Sequence, residues 1–554
     1  MKKFITLFLG ISLLTHSGSL YAKKEAWSFY SSSNLLVGDG PGDQILPKIA
    51  PTDDGGYYVS WIDNGTGGYD VRLQKLDALG YEEFEHNGIL VADRKFGWVM
   101  DYGLDVDSAG NALLTFRDDR LTGIQITASK VSPTGALLWG ELGIQLTNTT
   151  SFIASPKIAG TSDGGVVVAW TQESEVWLQK LSPNGDPFWG TGIVLSPPGS
   201  SFLVSDLHDT GTSVIVSIVH ETGEFGSPRH LLAQKLDAAG IQEWGVGCVS
   251  VFDGGTLQFG NFPTFIPDGK GGAIFSWYIT SNLQLQCYAQ HILSDGNEAF
   301  PHNGSAVSTN TTRVRVSPSA TFDAISGETF LFWIEKNSDQ SKFGVYSQKL
   351  NSSGERQWSD EGVVVVPVCQ DVVSLVRSLR LEGGTFVFWS LSPSFGEDQL
   401  FGAWIDDFGN VNFGPFDVAS TPSVKSHLDV ELSANNFAIL AWSDEQNGEA
   451  DILAQKVNLN GSLGNPRISI GLSMGRPAVW LALQHPNPSN GFIFIVFIFS
   501  ELLSVFAIFN LHGQVVRTLH FVVPSAAGTL VCDGSDECQP AGRGGGVVFR
   551  AMSR

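Results

Sequence analysis

A repeat of about 54 residues constrains the fold of this chain more than any other feature. One phrase recurs eight times: an apolar strand ending in an aromatic residue, a polar hairpin, a strand reading QKL or similar, and then a glycine. The clearest copies are YYVSWID with RLQKLDALG, VVVAWTQ with WLQKLSPNGDPFWG, and AILAWSDE with LAQKVNLNG. The matched glycines, spaced by 55, 50, 55, 56, 58, 55 and 52 residues, are Gly80, Gly135, Gly185, Gly240, Gly296, Gly354, Gly409 and Gly461. Eight copies of one unit indicate a repeat architecture.

Each period holds four short β segments. In the first copy they read ILPKIA, GYYVSWI, YDVRLQKL and GILVA, separated by the turn signals DDGG, NGTGG and DALG. Apolar residues alternate with polar ones and show no helical period of 3.6. Four strands per unit are typical of a propeller blade, so we predict an all-β, eight-bladed β-propeller over residues 23–466, built around a central channel.

The two ends of this propeller complement each other. After Gly461 the eighth repeat runs GSLGNPRISIG and lacks the Trp-containing fourth strand. The segment AWSFYSSSNLLVGDG near the N-terminus supplies the same order of Trp, spacer and Val. We therefore predict that the N-terminal strand completes the eighth blade, which would hide both open sheet edges.

The N-terminus and the overall charge predict where the protein acts. Residues 1–22 contain Lys2 and Lys3, an apolar run and a small residue at Ala22, which is the pattern of a secretory signal peptide. We expect the protein to be secreted or to lie on the outer cell surface. The formal net charge of −23 disfavours contact with nucleic acid or with anionic lipid, so we predict no nucleic-acid partner and no membrane association.

Cysteine usage predicts neither a zinc cluster nor a disulfide framework. The count is odd and no CxxC spacing occurs among Cys248, Cys287, Cys369, Cys532 and Cys538. Cys532 and Cys538 are close enough in sequence for a local disulfide, and two separate thiols are the alternative.

The recurring aromatic residues allow two interpretations. Their fixed place in each repeat favours packing between blades, and a stacking platform for glycans is the alternative. The anchors that end the second strand are Trp61, Phe116, Trp170, Trp277, Trp333, Trp389 and Trp442, and those we place in the outer strand are Trp139, Trp189, Trp244 and Trp358.

Acidic residues follow the anchors on the face that carries the hairpins between second and third strands. We expect this face to be the chemically richer one, either as a broken ring of carboxylates that binds a ligand or supplies an acid–base pair, or as side chains that cap tight hairpins. The set is Asp63, Asp118, Glu221, Glu335 and Asp444 two residues after an anchor position, Glu173 one step further, and Asp119, Arg120, Asp339, Glu397, Asp398 and Asp451 in the same hairpins.

No other constellation predicts a catalytic or metal site. The eleven histidines, among them His208, His220, His230 and His302, show no paired metal-binding spacing, and no GxSxG or P-loop motif occurs. The loops at Asp107 and Asp268 are interpreted as turns, because they lack the terminal Glu of a calcium loop. We therefore assign no catalytic, cofactor-binding or metal residue.

A different sequence pattern covers residues 476–554, after a linker predicted at 467–475. It contains LALQHPNPSNG, FNLHGQVVRTL and VCDGSDECQPAGRGGGVVF. Through Asn487-Pro488, Asn490, the turn and strand around Gly513, and Asp533-Gly534, it resembles the C-terminal sorting module of type IX secretion cargo and the related immunoglobulin-like module of flagellar hook-capping proteins. The resemblance implies a small β-sandwich that is read by outer-membrane export machinery, with the cargo released or fixed to the cell surface.

The apolar stretch Phe492 to Phe509 in this tail approaches the length of a membrane span. Glu501 lies at its centre, where a carboxylate costs about 2.5–3.5 kcal/mol on insertion, so a hairpin of two buried strands is favoured over an anchor.

The propeller repeats resemble the uncharacterised DGG, W, QRLD and WG repeats of large secreted bacterial proteins and, faintly, quinoprotein blades. Quinoprotein dehydrogenases use adjacent cysteines at their cofactor, and no two cysteines here are adjacent, so we predict no cofactor. We expect an exported binding or adhesion propeller with an extracellular glycan or protein ligand. The alternative is a secreted polysaccharide-acting hydrolase or lyase that uses carboxylates on the propeller loop face.

Overall fold

The computed structural model describes residues 27–97, 101–224, 226–281 and 284–465, together with the backbone of six strands beyond residue 467. All regular secondary structure in these ranges is β, which confirms the predicted all-β class. The predicted signal peptide lies outside the described residues, so export stays a prediction.

Eight four-stranded antiparallel sheets form the blades of the predicted propeller. The N-terminal strand is β1 (Leu35–Gly38). Blade 1 contains β2 (Gln44–Pro51), β3 (Tyr57–Asp63), β4 (Asp70–Leu76) and β5 (Ile89–Ala92); blade 2 contains β6 (Gly103–Val106), β7 (Ala112–Asp118), β8 (Gln125–Val131) and β9 (Ile144–Gln145); blade 3 contains β10 (Ile153–Gly160), β11 (Val166–Gln172), β12 (Glu175–Leu181) and β13 (Ile193–Leu195); blade 4 contains β14 (Ser201–Asp209), β15 (Ser213–Glu221), β16 (Arg229–Asp237) and β17 (Val249–Phe252).

The second half of the ring repeats this order. Blade 5 contains β18 (Phe265–Pro267), β19 (Ala273–Ser281), β20 (Gln284–Ile292) and β21 (Ser305–Ala306); blade 6 contains β22 (Val314–Asp323), β23 (Glu328–Lys336), β24 (Phe343–Leu350) and β25 (Val363–Cys369); blade 7 contains β26 (Val372–Leu381), β27 (Gly384–Ser392), β28 (Asp398–Asp406) and β29 (Val411–Ser423); blade 8 contains β30 (Lys425–Leu432), β31 (Ala438–Asp444), β32 (Asp451–Val457) and then β1. The first strands of neighbouring blades contact one another, so they surround the central channel.

The N-terminal strand closes the ring as predicted. β1 pairs antiparallel with β32 in a register that places Leu35 opposite Ala454. Ahead of it, Trp27 is buried, and it packs against Gly80 of the first blade. The eighth sheet thereby gains its fourth strand from the other end of the chain, and neither β1 nor β32 leaves an unpaired edge inside the ring.

The recurring aromatic residues are packing elements, as the packing interpretation predicts. The seven anchors are all at most 3% exposed. Trp139, Trp189 and Trp244 donate their indole N–H groups to carbonyl oxygens of the following blade, those of Pro183, Ala238 and Ser294, at 3.3, 3.1 and 3.1 Å. These tryptophans, and Trp358, lie in the turn before the outer strand and not in the strand itself, which corrects our placement.

The eight matched glycines are required by backbone conformation. All have φ between +77° and +93°, which L side chains rarely adopt. The next blade's glycine also lies directly against the aromatic residue of the previous turn: a Cβ on Gly296 would come within 2.9 Å of Trp244. The repeat therefore conserves its glycine spacing because each blade junction needs a compact left-handed turn there.

The glutamine of the QKL strand forms two hydrogen bonds to the backbone of the turn that precedes the outer strand. Gln74 accepts the backbone N–H of Phe84 at 3.1 Å and donates to the carbonyl of Glu85 at 2.9 Å. The same two bonds, ten and eleven residues away, occur at Gln179, Gln234, Gln290 and Gln348. This periodic bonding explains why a buried polar residue recurs in the repeat.

The tail contains two three-stranded sheets. Their strands are β33 (Ile468–Ile470), β34 (Phe492–Ser500), β35 (Leu503–Asn510), β36 (Val515–Phe521), β37 (Leu530–Cys532) and β38 (Cys538–Pro540), in the orders β33-β37-β38 and β34-β35-β36. β33 lies in the segment predicted as a linker. The antiparallel pair β34–β35 covers the apolar stretch in the way a hairpin requires, and no helix in the described ranges is long and apolar enough to cross a membrane.

Three predictions about the tail remain open. Cys532 and Cys538 are opposite each other in the register of β37 and β38, while their side chains, like Glu501, lie outside the described part. The immunoglobulin-like arrangement and the sorting role also stay predictions.

Candidate functional site

The hairpin carboxylates, which we define as Asp63, Asp118, Glu221, Glu335 and Asp444, each meet a basic side chain. The partners are Arg72 at 3.3 Å, Arg120 at 2.8 Å, Arg229 at 3.3 Å, Arg315 at 3.0 Å and Lys425 at 3.1 Å, respectively. Asp63 also accepts the N–H of Gly65, two residues on, at 2.9 Å. Asp63, Asp118 and Asp444 accept backbone N–H groups two residues on, as the capping interpretation predicts, while Glu221 and Glu335 contact basic side chains without such a bond among the described contacts.

Two of these pairs are fully buried. Arg315 and Glu335 lie opposite each other on β22 and β23, and both side chains are at most 1% exposed. Glu335 also accepts the indole N–H of the anchor Trp333 at 2.7 Å. Asp444 repeats this arrangement in blade 8 with Lys425 and with Trp442, whose indole N–H lies 2.8 Å away.

The other predicted hairpin side chains also serve local structure. Glu173 accepts the N–H of Phe152, Asp119 that of Lys95 and Asp398 that of Lys425, while Asp339 contacts Ser341, Glu397 contacts Ser394, and Asp451 contacts Asn447. The structure brings none of these groups together into one carboxylate ring within the described ranges.

A charged layer instead lies on the innermost strands, at the central channel. Several of these strands contain a β-bulge: the pairing shifts between Ile45 and Lys48, and likewise between Ala154 and Lys157. A bulge inserts an extra residue and re-aims the side chains that follow. The equivalent positions of the blades, which we call the inner layer, are Lys48, Gly103, Lys157, Asp206, Thr264, Ser319, Arg377 and Asp429.

Ion pairs link this layer from blade to blade. Asp101, two residues before the inner-layer Gly103, forms ion pairs with Lys48 of blade 1 at 3.2 Å and with Lys157 of blade 3 at 2.6 Å. Burial alone would raise the pKa of Asp101, but the two lysines outweigh it and hold that pKa well below its usual value. Asp101 thus bridges three blades as a carboxylate.

Further around the ring, carboxylates accept backbone N–H groups of the next blade. Asp206 accepts from Phe265 at 3.2 Å, and Asp429 accepts from Ile49 at 2.8 Å. Asp206 also lies 3.0 Å from Nε2 of His208. With three cations and the carboxylates of Asp101, Asp206 and Asp429, the inner layer and Asp101 together are electrically balanced.

A second layer lies two residues further along the innermost strands and is not balanced. Its acidic members, which with His208 we call the acidic layer, are Asp105 of blade 2 and Glu431 of blade 8. Among the described residues, no lysine or arginine forms an ion pair with either carboxyl group. Burial raises the pKa of Asp105; burial and the neighbouring Asp429 raise the pKa of Glu431 to about 8. Burial would lower the pKa of His208, but Asp206 outweighs it and the pKa is raised.

Small residues leave room beside the acidic layer. Blades 1 and 3 have Ala50 and Ala159 at the positions where blades 2 and 8 have Asp105 and Glu431. A cavity of about 790 Å³ occupies the channel here and extends from the inner layer to the turns at residues 52–54 and 107–110. We call it the vestibule. Six carboxyl side chains and three lysines line it, so its charge is negative.

The vestibule lies at the end of the channel opposite the hairpin carboxylates, so the structure corrects our expectation that the hairpin face is the chemically richer one. Sequence reasoning missed the inner strands because each contributes only one or two charged residues. One signal was present: PKIA occurs in the same place in two blades, at 47–50 and 156–159. A lysine repeated in a strand that must lie at the channel predicts a partner there.

Other chemistry-bearing groups form no complete site. In the described ranges no three His, Cys, Asp or Glu side chains converge to hold a metal ion. Asp107 and Asp268 accept backbone N–H groups within their own turns, as predicted. Ser200 contacts Nε2 of His220 at 2.8 Å.

No protein-family model and no curated protein matches the sequence. Solved structures similar to the chain include a PL25 ulvan lyase bound to a GlcA(1-4)Rha3S unit, with TM-score 0.42, 11% identity, and coverage of 70% of this chain and 97% of that one. Prolyl oligopeptidase B from Galerina marginata gives a TM-score of 0.41 at 11% identity over 73% of this chain and 56% of that one. The Dos1 propeller gives 0.41 at 10% over 77% and 96%. Similarity at this level carries no information on ligand or activity.

Proposed function

We propose that the protein is an exported binding or adhesion propeller, secreted or held on the outer cell surface, and that its ligand enters the vestibule. One observation carries the proposal: a cavity of about 790 Å³ on the ring axis, lined by charged side chains of blades 1, 2, 3, 4 and 8. Ligand pockets in proteins occupy roughly 300–1,000 Å³ and present a few convergent polar groups.

The location of the vestibule supports binding through the propeller itself. Its walls are first strands, which are held by neighbouring blades on both sides, so its polar groups are preorganised. The hairpin carboxylates at the other end are already paired with arginine or lysine, which leaves them little free capacity for a ligand.

Glycan and protein arrays probed with the full-length protein test this function. Thr264 is exposed and lines the vestibule, so Thr264→Trp is expected to fill part of the cavity and weaken binding without unfolding the ring. Thr122→Trp, on an exposed hairpin at the opposite end, is the matched control and is expected to bind as the parent does. Equal binding by both variants would contradict the vestibule as the site.

The same proposal assigns the tail a role in sorting the protein to the cell exterior. If it is a sorting module, a chain ending near Gly475 should fold as a soluble propeller but remain in the periplasm of a host that has type IX machinery. Recovery of that shortened chain in the culture fluid would contradict a sorting role.

A secreted hydrolase or lyase that acts on polysaccharides is the second candidate. The vestibule, and not the hairpin face, supports it, because His208, paired with Asp206, lies in the same cavity as the raised-pKa carboxyl of Glu431. Such a set offers one base and one acid. A panel of polysaccharides tests this candidate. If the protein degrades one of them, and His208→Ala abolishes the degradation while still binding that polysaccharide, catalysis is favoured over binding alone.

A further inference from the structure

The imbalance between the two channel layers points to the chemistry of the ligand. In the inner layer, Lys48 and Lys157 are shared by Asp101, and Asp206 is paired with His208. In the acidic layer directly above, Asp105 and Glu431 have no lysine or arginine ion pair among the described residues. The carboxyl groups without a lysine or arginine partner therefore lie beside the cavity, in the layer that contains Ala50.

We propose that the vestibule binds a small ligand through a primary or secondary ammonium group placed beside Glu431 and Asp105. The inference rests on the proposed binding function and names the ligand class. An ammonium group there would supply the positive charge that the acidic layer lacks, while the rest of the ligand would occupy the cavity between the alanine positions and the turns of blades 1 and 2.

The lining excludes a quaternary ammonium group. Such groups are recognised by aromatic cages through cation–π contacts. Among the described residues that line the vestibule, Tyr102 carries the one phenol or phenyl ring and His208 the one imidazole. The Tyr102 side chain is fully buried, with the hydroxyl engaged by Ser60 and by the carbonyl of Leu46. Carboxyl groups, by contrast, need N–H donors, which primary and secondary amines have and choline lacks.

The same geometry couples binding to proton release. Burial and Asp429 keep the pKa of Glu431 near 8, so this carboxyl holds its proton at neutral pH. An adjacent ammonium favours the ionised form, and binding would then expel the proton. The groups that act electrostatically on Glu431 or Asp105 are Asp429 on β30, Asp105 on β6, and His208 and Asp209 on β14. Lys48 on β2, Lys157 on β10 and Asp206 on β14 line the same cavity.

Isothermal titration of the full-length protein with spermidine tests the proposal. Spermidine keeps at least two of its three ammonium groups over pH 6–8, and the proton exchange of its own amines, titrated without protein in the same buffers, is subtracted so that the remaining pH dependence reports the protein. Release of one proton predicts an affinity that rises by up to about tenfold per pH unit toward pH 8, and a binding enthalpy that depends on the ionisation heat of the buffer. Glu431→Gln is expected to reduce both effects, leaving the smaller part due to His208. Glu382 is exposed on the turn between β26 and β27 of blade 7. Glu382→Gln is therefore the matched control and is expected to behave as the parent.

Matched probes distinguish the sources of the amine. Glucosamine is compared with N-acetylglucosamine, ethanolamine with choline, and a lysine peptide with its acetylated form, each at pH 6.5. In every pair we expect the member with a free amine to bind more tightly and to compete with spermidine. The pair with the greatest contrast identifies an amino sugar, a small amine or a peptide as the natural class.

Two results would overturn this inference with different consequences. If the neutral members bind as well as the amines and Thr264→Trp weakens both, the vestibule is a binding site but not for ammonium groups. If Thr264→Trp changes the binding of no array ligand and no amine binds, the proposed function falls as well.

Discussion

Two sets of buried carboxylates lie at opposite ends of this propeller and differ in their partners. Each hairpin carboxylate follows an anchor and meets a basic side chain within its own hairpin or on the neighbouring strand, such as Arg72 for Asp63 and Arg315 for Glu335. The acidic layer at the channel comes from strands of different blades. Asp105 accepts the backbone N–H of Gly160 and repels the charge of Glu431. Among the described residues, neither carboxyl group forms an ion pair with arginine or lysine.

The difference shows how to separate structural from functional acids in a repeat fold. A carboxylate with a cation from its own blade is balanced by the repeat itself, so the charge serves folding. A carboxyl group at a cavity that has no such cation can be compensated by the positive charge of a ligand. Asp and Glu residues of the two sets look alike in the sequence. The structure distinguishes them by whether a basic side chain lies next to the carboxyl group.

Breaking a hairpin pair should have the largest effect. Arg315→Leu removes the close cation of the buried Glu335, leaves the partly exposed Arg313 at 3.8 Å as its remaining basic partner among the described residues, and also removes donors to Gln286 and Asn310. We expect a loss of about 3–5 kcal/mol in the free energy of unfolding, measured with urea. Arg356→Leu, which breaks the exposed pair with Asp360, is the control and should cost less than about 1 kcal/mol. Similar losses in both variants would contradict the distinction.

The acidic layer should respond in the opposite direction. Glu431 has a pKa of about 8 in the folded protein against 4.5 when unfolded, so the folded state holds its proton more tightly. Stability therefore falls as pH rises from about 5 to 8. Glu431→Gln removes this dependence, and we expect it to be more stable than the parent at pH 8 by roughly 1–2 kcal/mol, with a smaller difference at pH 5. Urea unfolding at both pH values measures the change; a variant less stable at pH 8 would contradict an unbalanced site.

The ring was predictable from the sequence because each of its devices repeats. The spacing of the matched glycines, the anchors and the QK pair gives eight units, and the lone Trp27 segment reveals the closing strand. These signals are strong because left-handed turns and blade junctions admit few residue types.

The vestibule was not predictable in the same way because it depends on where the repeat differs. Asp105 and Glu431 matter only because Ala50 and Ala159 occupy the equivalent places in other blades, and this comparison needs the strand register. The bulges before Lys48 and Lys157 shift that register by a residue. Pro47 and Pro156 mark the bulges in the sequence, but they do not give the size of the shift.

A smaller effect is expected at the balanced inner layer. Asp101 is partly exposed, so its coupling to Lys157 should be about 0.2–1 kcal/mol in a double-mutant cycle of Lys157→Met and Asp101→Asn. Because the lysines hold the pKa of Asp101 well below its usual value, the coupling should be present at pH 7, begin to weaken only below about pH 4, and disappear only as the pH falls through that depressed pKa. A coupling at pH 7 that does not weaken in about 1 M salt would show that packing, and not charge, joins the three blades here.

The smallest effect should come from a hairpin carboxylate when ligand binding is measured. Asp118 accepts the backbone N–H of Arg120 at 3.0 Å and three guanidinium contacts at 3.0, 3.1 and 2.8 Å, and Arg120 also donates to the carbonyl oxygens of Glu141 and Leu142. Asp118→Asn keeps the shape of the side chain and those carbonyl contacts but replaces one acceptor of Arg120 by a donor, so we expect a stability loss of about 1–3 kcal/mol. Binding at the vestibule should be unchanged, since Asp118 lies at the other end of the blade, whereas Glu431→Gln should alter it. Loss of binding or of polysaccharide turnover in Asp118→Asn, with the fold intact by circular dichroism, would move the functional site back to the hairpin face.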